Sequence, residues 1–334
     1  MNTNKILRRF MHKTEFYLLI VFVVICIIIQ IVSGGQLTEP YTIVNIARAI
    51  TILGMFALIN LTVVVSGGFD LSFPTLASLS CSAATAILLK MGWGTESVWA
   101  AFLISGFIGM LLGMLNGFLI AHFKLNTMLV TLGTQTLFLS LSQGPLQFRE
   151  VTSTLPQGLK DFGEKALFEV FSSTGMRSIM PVAFLPFIFL AVVIWFILNH
   201  TMFGRSLYAI GGNEISAERA GINVKRIKFR LFAFVGFASG ITGMLRVCMV
   251  RQVIPRSLNG WDLRVIPIVI LGGASIYGGV GTVFGTLIAV ALVTVVSNSL
   301  LLVGIDSYWQ DFFYGLVILT GVTVSAIQAK RRSI

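Results

Sequence analysis

Charge is what this sequence lacks most. Only 11% of its 334 residues are Asp, Glu, Lys or Arg, where soluble chains carry about a quarter. With 56% hydrophobic residues and a mean hydropathy of +0.90, water is not its main solvent. Cysteine is scarce too: Cys26, Cys81 and Cys248 all lie in apolar segments, without disulfide or metal-ligand spacing, and read as small packing residues. The three histidines, His12, His122 and His200, fall at the edges of apolar segments, far apart in sequence. The chain has no HExxH, no GxSxG and no GxxxxGK[ST] loop, which argues against a metalloprotease, a serine hydrolase and a nucleotide-hydrolysing domain in turn. No catalytic residue, metal or cofactor is expected.

What the sequence does hold is uncharged length. Crossing roughly 30 Å of hydrocarbon takes about 20 helical residues. Phe16–Ser33, Ala49–Ser66, Leu71–Leu89, Ser97–Ala121, Leu125–Phe148, Ser178–Asn199 and Phe312–Ala329 each contain no charged residue. Val265–Ile305 is uncharged for 41 residues, enough for two spans with Gly278, Gly279 and Gly281 at the turn. Leu231–Leu245 completes a set of ten. None of these runs alternates apolar with polar as the strands of a barrel do. The fold class expected is therefore an all-α integral membrane protein with about ten transmembrane helices. The first run is longer than the core of a cleaved signal peptide and no small-x-small cleavage site follows it, so it reads as a helix.

Basic residues next to spans mark the cytoplasmic side. Lys5, Arg8, Arg9 and Lys13 precede the first span and Lys124 follows the fourth. Arg205, Arg219, Lys225, Arg226, Lys228 and Arg230 fill the loop after the sixth, and Lys330, Arg331 and Arg332 end the chain. Ten spans counted from a cytoplasmic N-terminus put all of these clusters inside, with the C-terminus also cytoplasmic. Arg246, at the end of the seventh span, and Arg251, Arg256 and Arg264, in the outer loop that follows, strain this count at the eighth span. An intramembrane Arg is costly, and Arg246 is expected to snorkel to an interface.

The organisation expected is a cytoplasmic tail over 1–15, a transmembrane domain over 16–329 and a second tail over 330–334. Within it, an outer loop over 149–177 of mixed charge has room for a short amphipathic helix, which either covers a pore mouth or meets a partner. An inner loop over 200–230 holds Asn213-Glu-Ile-Ser-Ala-Glu-Arg-Ala-Gly221, which reads as a short helix with Asn213 as N-cap, Glu214 on the positive end of the dipole and Gly221 as terminator. A helix this short is marginal alone, so its own membrane domain or another protein must hold it.

Three further features stand out. In Ser66-Gly-Gly-Phe-Asp-Leu-Ser-Phe-Pro74 two glycines end the second span; this is either a capped turn or a broken helix facing a gate or solute. Small residues three or four apart in Gly106-Phe-Ile-Gly109, Gly113-Met-Leu-Asn-Gly117 and Gly236-Phe-Ala-Ser-Gly240 suit close helix packing in lipid. Asn60, Asn116, Gln135, Gln143 and Asn298 are amides within spans, which either bond between helices or offer an uncharged polar path to a polyol.

Four stretches together carry a resemblance: Gly67-Gly-Phe-Asp-Leu-Ser72; Asn126-Thr-Met-Leu-Val-Thr-Leu-Gly-Thr134; Phe203-Gly-Arg-Ser-Leu-Tyr-Ala-Ile-Gly-Gly-Asn-Glu214 running on to Val224; and Ile270-Leu-Gly-Gly-Ala-Ser-Ile-Tyr-Gly-Gly-Val-Gly-Thr-Val-Phe-Gly-Thr286. Over roughly residues 16–328 the chain resembles the permease subunits of bacterial ABC importers of the ribose, xylose, arabinose, galactoside and autoinducer-2 group. The resemblance implies a multi-pass inner-membrane permease that moves a sugar-like solute by alternating access. It implies a cytoplasmic ABC ATPase subunit, an extracytoplasmic sugar-binding protein and a second permease chain as partners, and no nucleic acid. It also makes Gly211, Gly212, Asn213, Glu214, Ala217, Arg219 and Gly221 a coupling helix for the ATPase. Pathway or gate residues are expected among Gly67, Gly68, Asp70, Ser72, Asn116, Gln135 and Asn298. The sequence departs from the family at Phe73-Pro74, where Val-Gly is usual, at Arg264, where an acidic position is usual, and at Ser299, where Gly is usual. An ion-gradient-driven transporter or a membrane scaffold are the rival readings, the former short of membrane carboxylates other than Asp70.

Overall fold

The computed structural model describes residues 14–92, 98–172 and 175–302, with Trp309, Phe312, Gly315, Leu316, Leu319 and Thr323. Both basic tails and almost all of the expected last span lie outside the described residues. Helix α1 (Thr14–Val32) leads through a 3-10 turn (Gln36–Thr38) to α2 (Pro40–Val65), α3 (Phe73–Lys90), α4 (Val98–Phe123) and α5 (Thr127–Gln143). There follow α6 (Gln157–Glu164), strands β1 (Ala166–Phe171) and β2 (Arg177–Pro181), then α7 (Phe184–His200), α8 (Met202–Gly212), α9 (Glu214–Arg219), α10 (Val224–Val250), α11 (Trp261–Leu271) and α12 (Val283–Leu302). Among the described residues six of these helices are long and apolar enough to cross a membrane, or seven if α7 and α8, bent by 71° at Thr201, count as one. The chain is a mostly helical integral membrane protein.

Helix α2 is the axis of the bundle. From Thr51 to Val65 every side chain is buried, the pattern of a helix apolar all round and enclosed by others. Around it pack α3, α7, α10, α11 and α12. The largest helix pair is α4 with α10, which approach on glycine: a Cβ on Gly113 would lie 2.9 Å from Gly236 Cα, and one on Gly236 would lie 2.8 Å from Gly113 Cα. Ser105 Oγ closes the same seam by donating to Gly240 O at 2.7 Å. The small residues spaced by four are thus a packing device.

Three expectations need correction. The outer loop holds the expected short helix, α6, but β1 and β2 also form an antiparallel hairpin, so the fold is not purely helical. Ser178–Pro181, assigned from composition to the sixth span, belongs to that hairpin, and the helix starts at Phe184. The residues after the sixth span are not a loop with one small helix: α8 occupies 202–212 and α9 follows after a single residue.

The eighth span is the largest departure. Beyond Arg251, whose φ of 59° ends α10, residues 252–254 pair at one point with the outer loop, Val253 N donating to Val151 O at 2.9 Å. Ser257, Asn259 and Trp261 then donate to carbonyls three residues back, and only from Trp261 does a regular helix begin. That helix, α11, has 11 residues, about 16 Å at the helical rise, half of what a membrane requires. The region between α10 and α12 is thus half irregular backbone and half short helix, and Arg264, expected in the outer loop, lies in the first turn of that helix.

Candidate functional site

The four glycine-bearing stretches singled out above converge. Helix α2 ends at Val65, and Gly67 (φ 82°) turns the chain. Val65 O accepts from Gly279 N at 2.9 Å. A Cβ on Gly278 would lie 2.5 Å from Gly67 Cα and 2.9 Å from Gly211 O, and one on Gly211 would lie 2.5 Å from Gly279 N. Tyr208 of α8 donates to Gly281 O at 2.7 Å. The fourth stretch joins from α5: Thr127 Cγ2 stands 3.0 Å from where a Cβ on Gly68 would be, and Thr131 Oγ1 accepts from Leu71 N at 3.1 Å. Three chain segments meet here backbone to backbone, with no side chain between them.

Immediately above this junction lies a closed polar group. Asp70 Oδ1 accepts from Ser72 N and from Ser72 Oγ, both at 2.7 Å. Asn116 Nδ2 of α4 donates to Ser72 Oγ at 2.8 Å, and Asn60 Nδ2 of α2 donates to Asp70 O at 3.2 Å. All four residues are buried. Asn60 Oδ1, Asp70 Oδ2 and Asn116 Oδ1 retain unused acceptor capacity, so what this group lacks is donors. Asp70, Ser72 and Asn116, expected together, are brought together. In this conformation they hold the break between α2 and α3 rather than face an opening.

Gln135 belongs to a second layer. Its Nε2 donates to Asp262 Oδ1 at 3.1 Å, and Asp262 is buried at the start of α11. Trp261 packs edge-on against Phe56 of α2, ring centroids 6.0 Å apart. Phe56 precedes Val65 by nine residues and Gln135 follows Thr127 by eight, so at 1.5 Å per residue both lie roughly 12–14 Å above the glycine junction. That is about half the thickness of a hydrocarbon layer of about 30 Å. Arg246 joins this layer: its guanidinium carbon is 5.9 Å from the Trp261 ring centre and Nη1 donates to Ser257 Oγ at 2.9 Å. Arg246 is half-buried, and the irregular segment after α10 supplies its hydrogen-bond partner. Asn298 stands apart from both layers, donating to Thr294 O of its own helix.

Asp262, Trp261, Ser257 and Thr131 were not singled out by sequence. Gly260 directly before Trp261-Asp262 is a helix-start signal, but it lay in a segment read as outer loop. Thr131 was hidden inside a motif quoted for its resemblance.

On the basic side, α9 has the expected caps. Asn213 Oδ1 accepts from Ser216 N at 2.8 Å, and Gly221 (φ 87°) donates to Glu218 O at 3.0 Å. The chain's own membrane domain holds it: Ala217 packs with Ile210 and Val224, Glu214 pairs with Lys228 at 2.7 Å and Glu218 pairs with Lys124 at 3.3 Å. Ile215, 64% exposed, and Arg219 remain outward. Between Gly211–Gly212 of the junction and α9 stands only Asn213.

A family model described as branched-chain amino acid transport system / permease component matches residues 42–321. The chain is similar to the ribose import permease protein of Bacillus subtilis, 32% identical over 298 residues that cover 89% of this chain and 88% of that one. It is similar to the fructose import permease protein of Rhizobium meliloti, 26% identical over 325 residues, 95% and 87% of the two chains. It is also similar to the autoinducer 2 import system permease protein of Yersinia pseudotuberculosis, 29% identical over 283 residues, 85% and 76% of the two. No solved structure matches it.

Proposed function

Since the chain belongs to the permease-component family of branched-chain amino acid transport systems, we propose that it is the transmembrane subunit of an ATP-driven importer carrying a sugar or sugar-like solute across the bacterial inner membrane by alternating access. It is a transport subunit, and hydrolysis belongs to a separate cytoplasmic ATPase. The observation that carries the mechanism is the direct link from α9 through Gly211 to Gly67 and the Asp70 group. The ATPase presses on α9 through the exposed Ile215 and Arg219, α8 moves with it, and the break between α2 and α3 follows because nothing at the junction can compress. The residues assigned to this coupling are Gly211, Gly212, Asn213, Glu214, Ala217, Arg219 and Gly221.

The family description names branched-chain amino acids, whereas the curated relatives are named for ribose, fructose and autoinducer 2. The layer around Gln135 and Asp262 favours the sugar. It offers an amide, a carboxylate, a hydroxyl, a guanidinium and an indole face, which suit the hydroxyls and C–H faces of a polyol, where an aliphatic side chain needs an apolar pocket. The gate comprises Gly67, Gly68, Asp70, Ser72 and Asn116, and Gln135 lines the path; Asn298, the remaining candidate, lies apart from them on α12. The topology that goes with this function has ten spans and both termini cytoplasmic, with residues 1–15 and 330–334 as tails, 16–329 as the permease domain, 149–177 facing an extracytoplasmic binding protein and 200–230 facing the ATPase. A second permease chain completes the pathway.

One observation favours an ion-gradient-driven carrier instead: Asp262 joins Asp70 as a buried carboxylate, and membrane carboxylates are what such carriers use. Affinity purification of the tagged chain in mild detergent, with an ATPase assay on what accompanies it, separates the two. An ATPase that is retained by the native chain and lost from Glu214→Ala/Arg219→Ala is the outcome expected. Uptake that tracks an ion gradient with no ATPase retained would replace this reading with the carrier.

A further inference from the structure

On the face of the bundle away from the basic loop, α4 and α7 make no extended contact with each other. Between them runs an open groove of about 960 Å³, at the upper end of the range that holds small ligands. Phe102, Phe162 and Ile241 form its floor, and Trp99, Leu103, Leu185 and Phe189 its walls. Trp99 is 74% exposed, Leu103 65% and Phe189 71%. In a chain that spans a membrane these side chains meet acyl chains, so the groove opens sideways into lipid.

Its mouth is not apolar. Helix α6 lies across it, fixed by buried Leu159 and by Gly163 packed on the Cys248 carbonyl, and Asp161 of this helix and Lys165, the residue just past its end, line the groove. These residues are four apart, the spacing at which a helical pair normally forms a salt bridge. They do not pair. Asp161 Oδ1 accepts from Gln157 Nε2 at 2.7 Å, and Lys165 forms no ion pair among the described residues, its neighbour Glu164 being taken by Arg251. An anion site and a cation site thus stand side by side at the head of an apolar slot.

We propose that this groove is a site for a zwitterionic phospholipid with a primary ammonium head: the acyl chains lie between α4 and α7, the phosphate meets Lys165 and the ammonium meets Asp161. An anionic lipid satisfies Lys165 but opposes Asp161, and a quaternary ammonium head cannot donate a hydrogen bond to the carboxylate. Both contacts are solvent-edged, so the preference is modest, about two- to fivefold over either alternative.

The test uses the full-length protein in nanodiscs doped with brominated phosphatidylethanolamine, phosphatidylcholine or phosphatidylglycerol. The tryptophan quenching abolished by Trp99→Phe isolates the groove. The expected result is that this component saturates at a lower mole fraction of phosphatidylethanolamine than of the other two, and that Lys165→Gln and Asp161→Asn each remove the difference. Native mass spectrometry of the wild-type protein should retain phosphatidylethanolamine in the same order. Equal quenching by all three heads means ordinary surrounding lipid and overturns the proposal, as does the absence of any Trp99 quenching, which means that protein fills the groove.

Discussion

Replacing Gly211 with alanine separates the junction from ordinary helix propensity. Gly211 and Gly212 are adjacent at the end of α8 with negative φ, and on propensity alone either alanine stabilises the helix by up to about 1 kcal/mol. At Gly212 the new methyl meets nothing within 4 Å. At Gly211 it would lie 2.5 Å from Gly279 N and overlap the Val65 carbonyl, where both neighbours are backbone and cannot rotate aside. Ordinary contact begins at 3.4 Å, so the segments must part by well over 1 Å at the Val65 carbonyl, and the Gly279 N–H to Val65 O bond stretches or breaks. Overpacking of this kind costs about 1–3 kcal/mol and the bond about 1 kcal/mol more, which exceeds the propensity gain. Gly211→Ala should therefore lower the apparent Tm by several degrees and cut uptake at least tenfold at equal membrane abundance, while Gly212→Ala matches or slightly exceeds the native protein in stability. Fluorescence-detected thermal unfolding in detergent and uptake in cells read the two quantities. If both variants behave alike, the junction is not incompressible and the coupling route drawn through it is wrong.

The remaining predictions concern the elements on either side. Asp70→Asn keeps an acceptor for Ser72 and should fold with near-native stability, whereas Asp70→Ala strands the Ser72 N–H and hydroxyl and should cost about 2–4 kcal/mol, as read by the same unfolding assay; equal stability of the two would mean that Asp70 does not hold the break. Gln135→Ala and Asp262→Ala should be non-additive in a double-mutant cycle by about 1–2 kcal/mol, and additivity would dissolve the pair. Asn213→Ala should cost α9 about 1 kcal/mol through its lost cap and weaken ATPase retention, while Gly221→Pro, impossible at a φ of 87°, should abolish uptake without removing the protein from the membrane; uptake at native levels by Gly221→Pro would rule out α9 as the coupling element.

Most of the spans were legible because the physical demand on them is simple: an uncharged run of 18 or more residues has few alternatives to a helix in lipid. The glycines were legible as motifs, but their meaning was not. Nothing in Gly211-Gly212 says that a methyl on one would strike backbone and a methyl on the other would meet nothing, since that depends on the placement of Val65 and Gly279. The caps of α9 were legible because Asn213 and Gly221 act on their own neighbours. Asp262 was not, because its role depends on Gln135, 127 residues away. The hairpin was missed because Ser178–Pro181 is as free of charge as the helix that follows it. The expected eighth span departed for another reason: the uncharged run from Val265 shows no sign that its helix starts at Trp261 and stops at Leu271, and a hydropathy count has no category for half a span.

That half span also bears on how the protein is made. A segment enters the bilayer by itself only when it closes its own backbone hydrogen bonds, and 252–260 does not. Its own turn closes some of them, Ser257 N to Ile254 O and Asn259 N to Arg256 O, and other elements close the rest: Val253 pairs with Val151 of the outer loop, and Pro255 O accepts from Ser78 Oγ of α3 at 2.6 Å. The stretch therefore reaches its native path only where α3 and the outer loop stand ready to take those bonds, and its placement depends on theirs.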